Sequence, residues 1–317
     1  MDLSGIYHHE IPDFLREAAA TPPMQRLKGV GMNCGCEYTS FPGFSTWQSY
    51  TRFDHSLGAA LITWHFTQDP KQALAALFHD IATPVFSHVV DFLRGDYETQ
   101  ESTEIGTREM ILGSREILSV CKQYGIDPED ITDYHRYPIA DNDSPQLSAD
   151  RLEYTLGNIV NFGYGSMETI RTYYENLQAT DTELVFRDEE IACAFAKDAL
   201  RCSWVYVADA DRYSMQILSE ILAEAISAKI ITPADLYLQE KDVVAKLERS
   251  PLLARWQAFR KLTQVTPSDH GRVILAKKRY IDPCTAEGRR ASQLDEAFSR
   301  ELSGFLSYNF QYPLEGC

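Results

Sequence analysis

Along the chain, apolar residues recur mostly at the spacing of an α-helix. "HSLGAALITWHF" (55–66) places Leu57, Ala60, Leu61 and Trp64 on one stripe, and "DPKQALAALFHDIA" (69–82) places Leu74, Leu77, Phe78 and Ile81 on another. Asp69 and Pro70 open the second stretch as an N-cap and a first-turn proline, where the missing proline N–H would have had no partner anyway. The same periodicity predicts helices near 12–20, 100–112, 115–124, 128–135, 148–160, 166–177, 188–206 and 209–230. A further helix starts at "TPAD" (232–235) with Thr232 as its cap. Two stretches read as extended, "ELVFR" (183–187) and "RVILAKKRYID" (272–282), the second on its β-branched residues. Proline and glycine between 265 and 290 make that region rich in loops. The pattern predicts a mainly all-α fold, with one large helical domain over residues 1–231 and a smaller mixed α/β appendage over 232–317 packed on it.

One stretch of this helical text is out of character. "LFHDIATPVFSHVVDF" (77–92) carries His79, Asp80, His88 and Asp91 among apolar residues. A buried charge is costly unless it is paired or ligates a metal. His55 begins the preceding helix, and Asp150 opens a later one in "LSADRLEYTLGN". Imidazole nitrogens with carboxylate oxygens suit one divalent ion such as Mn, Fe, Ni, Co or Zn. Ligands from three helices of a bundle can converge on a single ion.

Composition then narrows the partners. With 44% hydrophobic and 24% charged residues, the 317-residue chain is ordinary for a soluble globular protein, and a core of that size needs no disulfide support. The net charge of −16 (30 basic against 46 acidic residues) repels nucleic-acid backbones and anionic membranes, which excludes stable nucleic-acid binding. A small phosphorylated molecule stays eligible where a metal or local basic groups offset the field. Seven cysteines, an odd count without C-x-x-C spacing, read as reduced and mostly buried thiols rather than a zinc cage. The N-terminus shows no basic segment followed by an apolar run, and the longest apolar run, "ALAALF", is far short of the roughly 18 residues that span a bilayer. The expectation is a cytoplasmic protein with no membrane segment.

Five blocks, "TPPMQRLKGV", "FPGF…TRFDHSLG", "ALFHD…PVFSH", "SADRLEY" and "KKRYIDP", run in order over roughly residues 20 to 285. In that order the sequence resembles the HD-domain superfamily of metal-dependent phosphohydrolases, whose ligands follow the order H…HD…D, and most closely its dNTP triphosphohydrolase branch. The resemblance implies an HD-domain helical bundle in which His55, His79, Asp80 and Asp150 hold one divalent metal ion. It implies that Arg52, three residues before His55, contacts substrate phosphate, and that Arg151 and Tyr154 do the same from the helix of Asp150. Tyr206, in "SWVYVADADRY", matches a family tyrosine near the sugar. A homo-oligomer is implied as well. The SAM domain that often accompanies this branch is not expected here, because Met1 to Thr21 is too short to hold one.

Departures from the branch lie at the reaction centre. The usual H-D-x-G-H-G-P-F-S-H reads "HDIATPVFSH" here, so Thr83 replaces a histidine while His88 is kept. The family's histidine–glutamate proton-transfer pair falls at Gln100 and Glu101, and glutamine cannot relay a proton. The family's base-and-sugar glutamine falls at Met32. Asp80, His88 and Glu101 remain the candidate catalytic residues. The expected function is metal-dependent hydrolysis of a phosphate ester or anhydride in a small phosphorylated substrate, a nucleotide above all. The alternatives are a metal- and nucleotide-binding regulator without turnover, and an atypical dNTP triphosphohydrolase.

Overall fold

The structure, a computed structural model, describes residues 3–96 and 106–316. It is mainly helical. Short N-terminal helices α1 (Ser4–Tyr7), α2 (Asp13–Ala19) and α3 (Pro22–Arg26) lead into α4 (Arg52–Thr67) and α5 (Pro70–Phe78). Then follow α6 (Val89–Arg94), α7 (Thr107–Gly113), α8 (Arg115–Tyr124), α9 (Ala149–Asn161) and α10 (Met167–Glu175). A hairpin of β1 (Leu177–Ala179) and β2 (Leu184–Phe186) precedes the two longest helices, α11 (Glu189–Tyr206) and α12 (Asp209–Ser227). The C-terminal third adds α13 (Glu240–Glu248), α14 (Leu253–Arg260), β3 (Val265–Val273), α15 (Ala291–Leu294), α16 (Glu296–Ser307) and β4 (Pro313–Gly316). Among the described residues no helix is long and apolar enough to cross a membrane.

Helix α4 starts where it does because Thr51 and Asp54 form a reciprocal capping box: the Thr51 hydroxyl accepts from the Asp54 N–H, and the Asp54 carboxylate accepts from the Thr51 N–H. That start fixes Arg52 and His55 in the first turn. The rest of α4 is buried on most of its circumference, because α5 and α9 pack on it from two sides. Asp69 caps α5 by accepting from the Lys71 N–H at 2.9 Å, with Pro70 in the first turn as its sequence position predicts. Ser148 caps α9 the same way, accepting from the Arg151 N–H.

A principal core gathers α4, α5, α9 and α11 around Leu61, Leu74, Leu152 and Phe195. A second core joins α6 and α12 to α13 and α14, around Val89, Leu218, Val243 and Trp256. The site described below lies between the two.

The strand in the C-terminal third lies earlier than its sequence pattern predicts. Strand β3 runs from Val265 to Val273 and pairs antiparallel with β4, with an irregularity between Pro267 and Arg272. Residues 274–283 carry no ladder; Ile274 and Ile281 bury themselves at either end and leave the basic residues between them to line a cavity. The predicted helix at 128–135 is two 3-10 turns, Pro128–Ile131 and Tyr134–Arg136. Short β1 escapes the sequence pattern because three residues give too little periodicity to read.

Candidate metal centre

Three helices deliver four ionisable side chains to one point. His55 comes from the first turn of α4, His79 caps the C-terminus of α5, Asp80 follows it, and Asp150 sits in the first turn of α9. Ligand atoms of His55, His79 and Asp80 all lie within 4.8 Å of one another. Asp150 joins them, its Oδ1 3.0 Å from His55 Nε2 and 3.4 Å from His79 Nε2. The two Nε2 atoms are themselves 3.2 Å apart.

The opposite edges of both rings are already spoken for. His79 Nδ1–H donates to the Ala76 carbonyl at 2.6 Å, and His55 Nδ1–H donates to the Glu153 carboxylate at 2.7 Å. Neutral rings held this way turn both Nε2 lone pairs toward each other and toward two carboxylates. Such a donor set repels itself unless a proton or a cation stands within it. Without a cation, burial opposes a charged ring, yet hydrogen bonds to Asp150 and Glu153 outweigh it and raise His55 to about 10. A divalent ion would replace that proton. Two imidazole nitrogens and two carboxylate oxygens from rigid helices fit a divalent transition metal.

Asp80 is anchored by more than this cage. Its Oδ2 accepts from Arg52 Nη1 at 2.8 Å and its Oδ1 accepts from the Thr83 hydroxyl at 2.8 Å. Thr83, which stands where the resembling branch has a histidine, is fully buried and serves to orient the aspartate. Arg52 also donates Nε–H to the Ser87 hydroxyl at 3.0 Å, and Ser87 donates to the Gly31 carbonyl. Phe86 and Ser87 both have left-handed backbone (φ 60° and 51°), a conformation L-residues adopt at a cost. Bonds from Ser87 to Arg52 and Gly31, and from the Phe86 N–H to Glu240, hold that bend and aim His88 into the site.

His88 Nδ1–H donates to the buried Asp91 at 2.9 Å, while Nε2 accepts from Arg279 Nη2 at 3.3 Å. Burial, with the Arg279 charge beside it, lowers His88 to about 4, so the ring is neutral at physiological pH. Arg151 Nη2 donates to Asp141 at 3.2 Å and to Asn142 at 3.1 Å. Tyr206 accepts from Asn158 Nδ2 at 2.8 Å, and burial pushes Tyr154 up to about 12. Arg52, His88, Arg151, Tyr154 and Tyr206 all line the same cavity of about 640 Å³ as the four cage residues. Met32 lines it too. Gln100 and Glu101 lie outside the described residues.

The structure adds residues that the sequence pattern did not single out. Glu153, almost fully buried, accepts from His55 and from the hydroxyls of Tyr7 (3.2 Å) and Tyr50. The available signal was its place three residues after Asp150, on the same helix face. Lys277 and Arg279 line the cavity from the segment after β3; their signal was a basic triplet in a chain of net charge −16.

Gly58 makes room for this support. A Cβ there would stand 2.5–2.8 Å from the Glu153 carboxyl and Cγ. Gly58→Ala is expected to cost about 1–3 kcal/mol of stability, the range for overpacking a core, and to lower metal content. Chemical denaturation with elemental analysis checks it; a variant as stable and as metal-rich as wild type would show that Glu153 can yield.

Comparison with known proteins follows this geometry. The chain is 26% identical over 282 residues to metal-dependent phosphohydrolase cns2 of Cordyceps militaris, covering 85% of this chain and 79% of that one. It is similar to a metal-dependent phosphohydrolase over most of its length. Uncharacterized protein YdhJ of Bacillus subtilis is also 26% identical, over 259 residues, covering 79% of this chain and 76% of that one. Solved structures share the fold. A phosphohydrolase from Bacteroides thetaiotaomicron superposes with a TM-score of 0.67 at 18% identity, covering 97% of this chain and 96% of that one. A hypothetical protein from Aquifex aeolicus gives 0.63 at 19%, covering 91% and 89%. No family model matches the chain.

Proposed function

We propose that this protein is an HD-type metal-dependent phosphohydrolase that cleaves a phosphate ester or anhydride in a small phosphorylated substrate, with nucleotides as the first class to test. The observation that carries the reading is the convergence of His55, His79, Asp80 and Asp150 on the floor of a cavity whose walls hold Arg151, Lys277 and Arg279. On an acidic chain, cationic side chains gathered beside a cage of metal-ligand type are what a phosphate needs. Similarity to cns2 of Cordyceps militaris, named a metal-dependent phosphohydrolase, supports the reaction class.

A divalent ion held by the cage would polarise a phosphoryl oxygen and acidify water. Arg151 and Arg279 would grip the phosphate oxygens through planar guanidinium forks. Arg52 acts through Asp80, whose position it fixes at 2.8 Å, and stands close enough to the cavity to add its charge. His88, held by Asp91 on Nδ1 and met by Arg279 on Nε2, and Glu101 are the two candidates for moving a proton. Trp47, Tyr154, Phe162 and Tyr206 line the same cavity and would bed a planar base.

The test is a screen of the metal-reconstituted protein against a broad panel of phosphate compounds. Release of phosphate that disappears in His79→Ala is expected. A protein that holds metal and nucleotide yet releases phosphate from no compound on the panel would instead be a regulator.

A further inference from the structure

Lys277, Lys278 and Arg279 lie in a segment that no ladder holds, so other bonds must fix its course. Its fastenings run to the C-terminal stretch 306–312, none of whose residues lines the cavity. Lys278 lines the cavity, yet its ammonium is spent elsewhere. It donates to the carbonyls of Leu306 at 2.5 Å and Tyr308 at 2.8 Å, and stands 5.3 Å from the ring centre of Phe310. Arg212, on α12, ties down the start of the same segment. Its side chain is fully buried, and Nη1 donates to the carbonyls of Ile274 and Phe310 while Nη2 pairs with Asp209 at 2.7 Å. The rings of Phe310 and Tyr312 lie 5.2 Å and 4.8 Å from the guanidinium, and the Tyr312 hydroxyl donates to Asp209. Burying a guanidinium is costly, and apolar side chains often fill such a space at no loss of stability. What the arginine adds is a fork that joins two distant chain segments to one helix. At the other end Ser144 donates to the Tyr280 carbonyl at 2.9 Å, and the Asp282 N–H donates to the Pro145 carbonyl. Between these fixed points stands Arg279, whose Nη2 donates to His88 Nε2 at 3.3 Å.

We propose that Lys278, with Arg212 behind it, is a positioning residue: it fastens the basic segment of the cavity wall to the C-terminal stretch 306–312 and so holds Arg279 against His88. Lys278 itself grips no substrate, although it is the middle member of the basic triplet. The proposal rests on the phosphohydrolase reading for what the wall is for, and it makes the C-terminal stretch part of a site that the stretch does not touch. The physical gain is preorganisation. A long cationic side chain on an unfastened loop pays its ordering entropy when an anionic ligand arrives, whereas a wall fixed beforehand has already paid it.

The experiment uses the full chain with 15N-labelled histidine in the presence of zinc. It reads the ring-nitrogen signal of His88 and the affinity for inorganic phosphate. Arg279→Gln sets the scale for a lost contact. Lys278→Met keeps the stem packed near Phe310 and removes both bonds to the C-terminal carbonyls. It is expected to move the His88 Nε2 signal most of the way to its Arg279→Gln position. Phosphate binding should weaken about 3–10-fold, the scale of re-ordering one long side chain. Lys278→Arg can still donate to both carbonyls and should restore both readouts. Arg212→Lys, which keeps the charge and loses the fork, should shift the His88 signal in the same direction, and it serves as the second variant should Lys278→Met fold poorly. A merely structural role predicts a lower denaturation midpoint in Lys278→Met with neither readout moved. A His88 signal at the wild-type position in both variants overturns the proposal, as does a shift that Lys278→Arg leaves unrestored. An unmoved signal in Arg279→Gln overturns it too, because the contact to be held would then be absent. Wild-type protein that binds no phosphate would count against the phosphohydrolase reading, and the His88 signal would still decide the role of Lys278.

Discussion

Asp80→Ala is expected to lower the stability of the metal-stripped protein by about 3–5 kcal/mol, far more than Asp150→Ala, although both remove a candidate ligand and, on the proposed reading, both should abolish metal retention. The difference lies in what each carboxylate does when no metal is bound. Asp80 neutralises Arg52, which is only 6% exposed, and accepts from the buried Thr83 hydroxyl. Removing it leaves a guanidinium and a hydroxyl without partners inside the protein. Burial opposes ionisation of Asp80, but Arg52 and the two imidazoles more than offset it and hold the carboxyl well below its usual range. Asp150 has a side chain 24% exposed at a helix N-terminus and pairs mainly with the two histidines. Its loss takes away charge-assisted bonds to two buried imidazoles, which, unlike a guanidinium, can give up their proton and stay neutral, for roughly 1–2 kcal/mol. Denaturant melts in the presence of chelator, with elemental analysis of the untreated proteins, measure both effects. Equal melts for the two variants would mean that the Arg52–Asp80 pair does not support the fold.

The candidate ligand set stood out in the sequence because its chemistry conflicts with its surroundings, and the fold brings its four side chains together. Histidine and aspartate inside "LFHDIATPVFSH" have no place in a purely apolar helix, and the caps at Thr51, Asp69 and Ser148 fix the turns from which His55, His79 and Asp150 project. Helical periods likewise placed α8, α9 and α11 within a residue or so of their observed ends. What stayed hidden depends on pairing across distance. Strand β3 forms because β4, some forty residues on, supplies its ladder, and residues 274–283 after it have none. Arg279 meets His88 across 191 positions, and Tyr7 meets Glu153 across 146; no local pattern encodes either contact. The fold also gives Arg52 partners that its sequence neighbours do not show. Beside His55 in sequence it looks free for phosphate, whereas in the fold much of its guanidinium is committed to Asp80 and Ser87.

Glu153→Gln is expected to weaken metal affinity by about 10–100-fold while leaving the metal-free protein close to wild-type stability. The substitution preserves volume, which matters at a site where Gly58 already leaves no spare room. It removes the negative charge that Nδ1–H of His55 points at from 2.7 Å, and with it the polarisation that makes Nε2 a stronger donor to a cation. An amide oxygen in the place of Oε2 can still accept from His55 and Tyr50, and the amide nitrogen in the place of Oε1 can donate to Tyr7, whose hydroxyl rotates to accept. Packing and hydrogen-bond count thus survive, so a purely structural role for Glu153 predicts little change in either measurement. A positioning role predicts a split, with chelator competition showing the loss of affinity and chemical denaturation without metal showing almost none. Tyr50→Phe gives the graded version, since it keeps the Glu153 charge and removes one of the donors that spread it. Its metal affinity should hold or rise slightly, because fewer donors leave more of the carboxylate's charge for His55. Unchanged affinity in Glu153→Gln would mean that a hydrogen-bond acceptor on Nδ1–H is enough to position His55, and that the carboxylate's charge adds nothing to the cage.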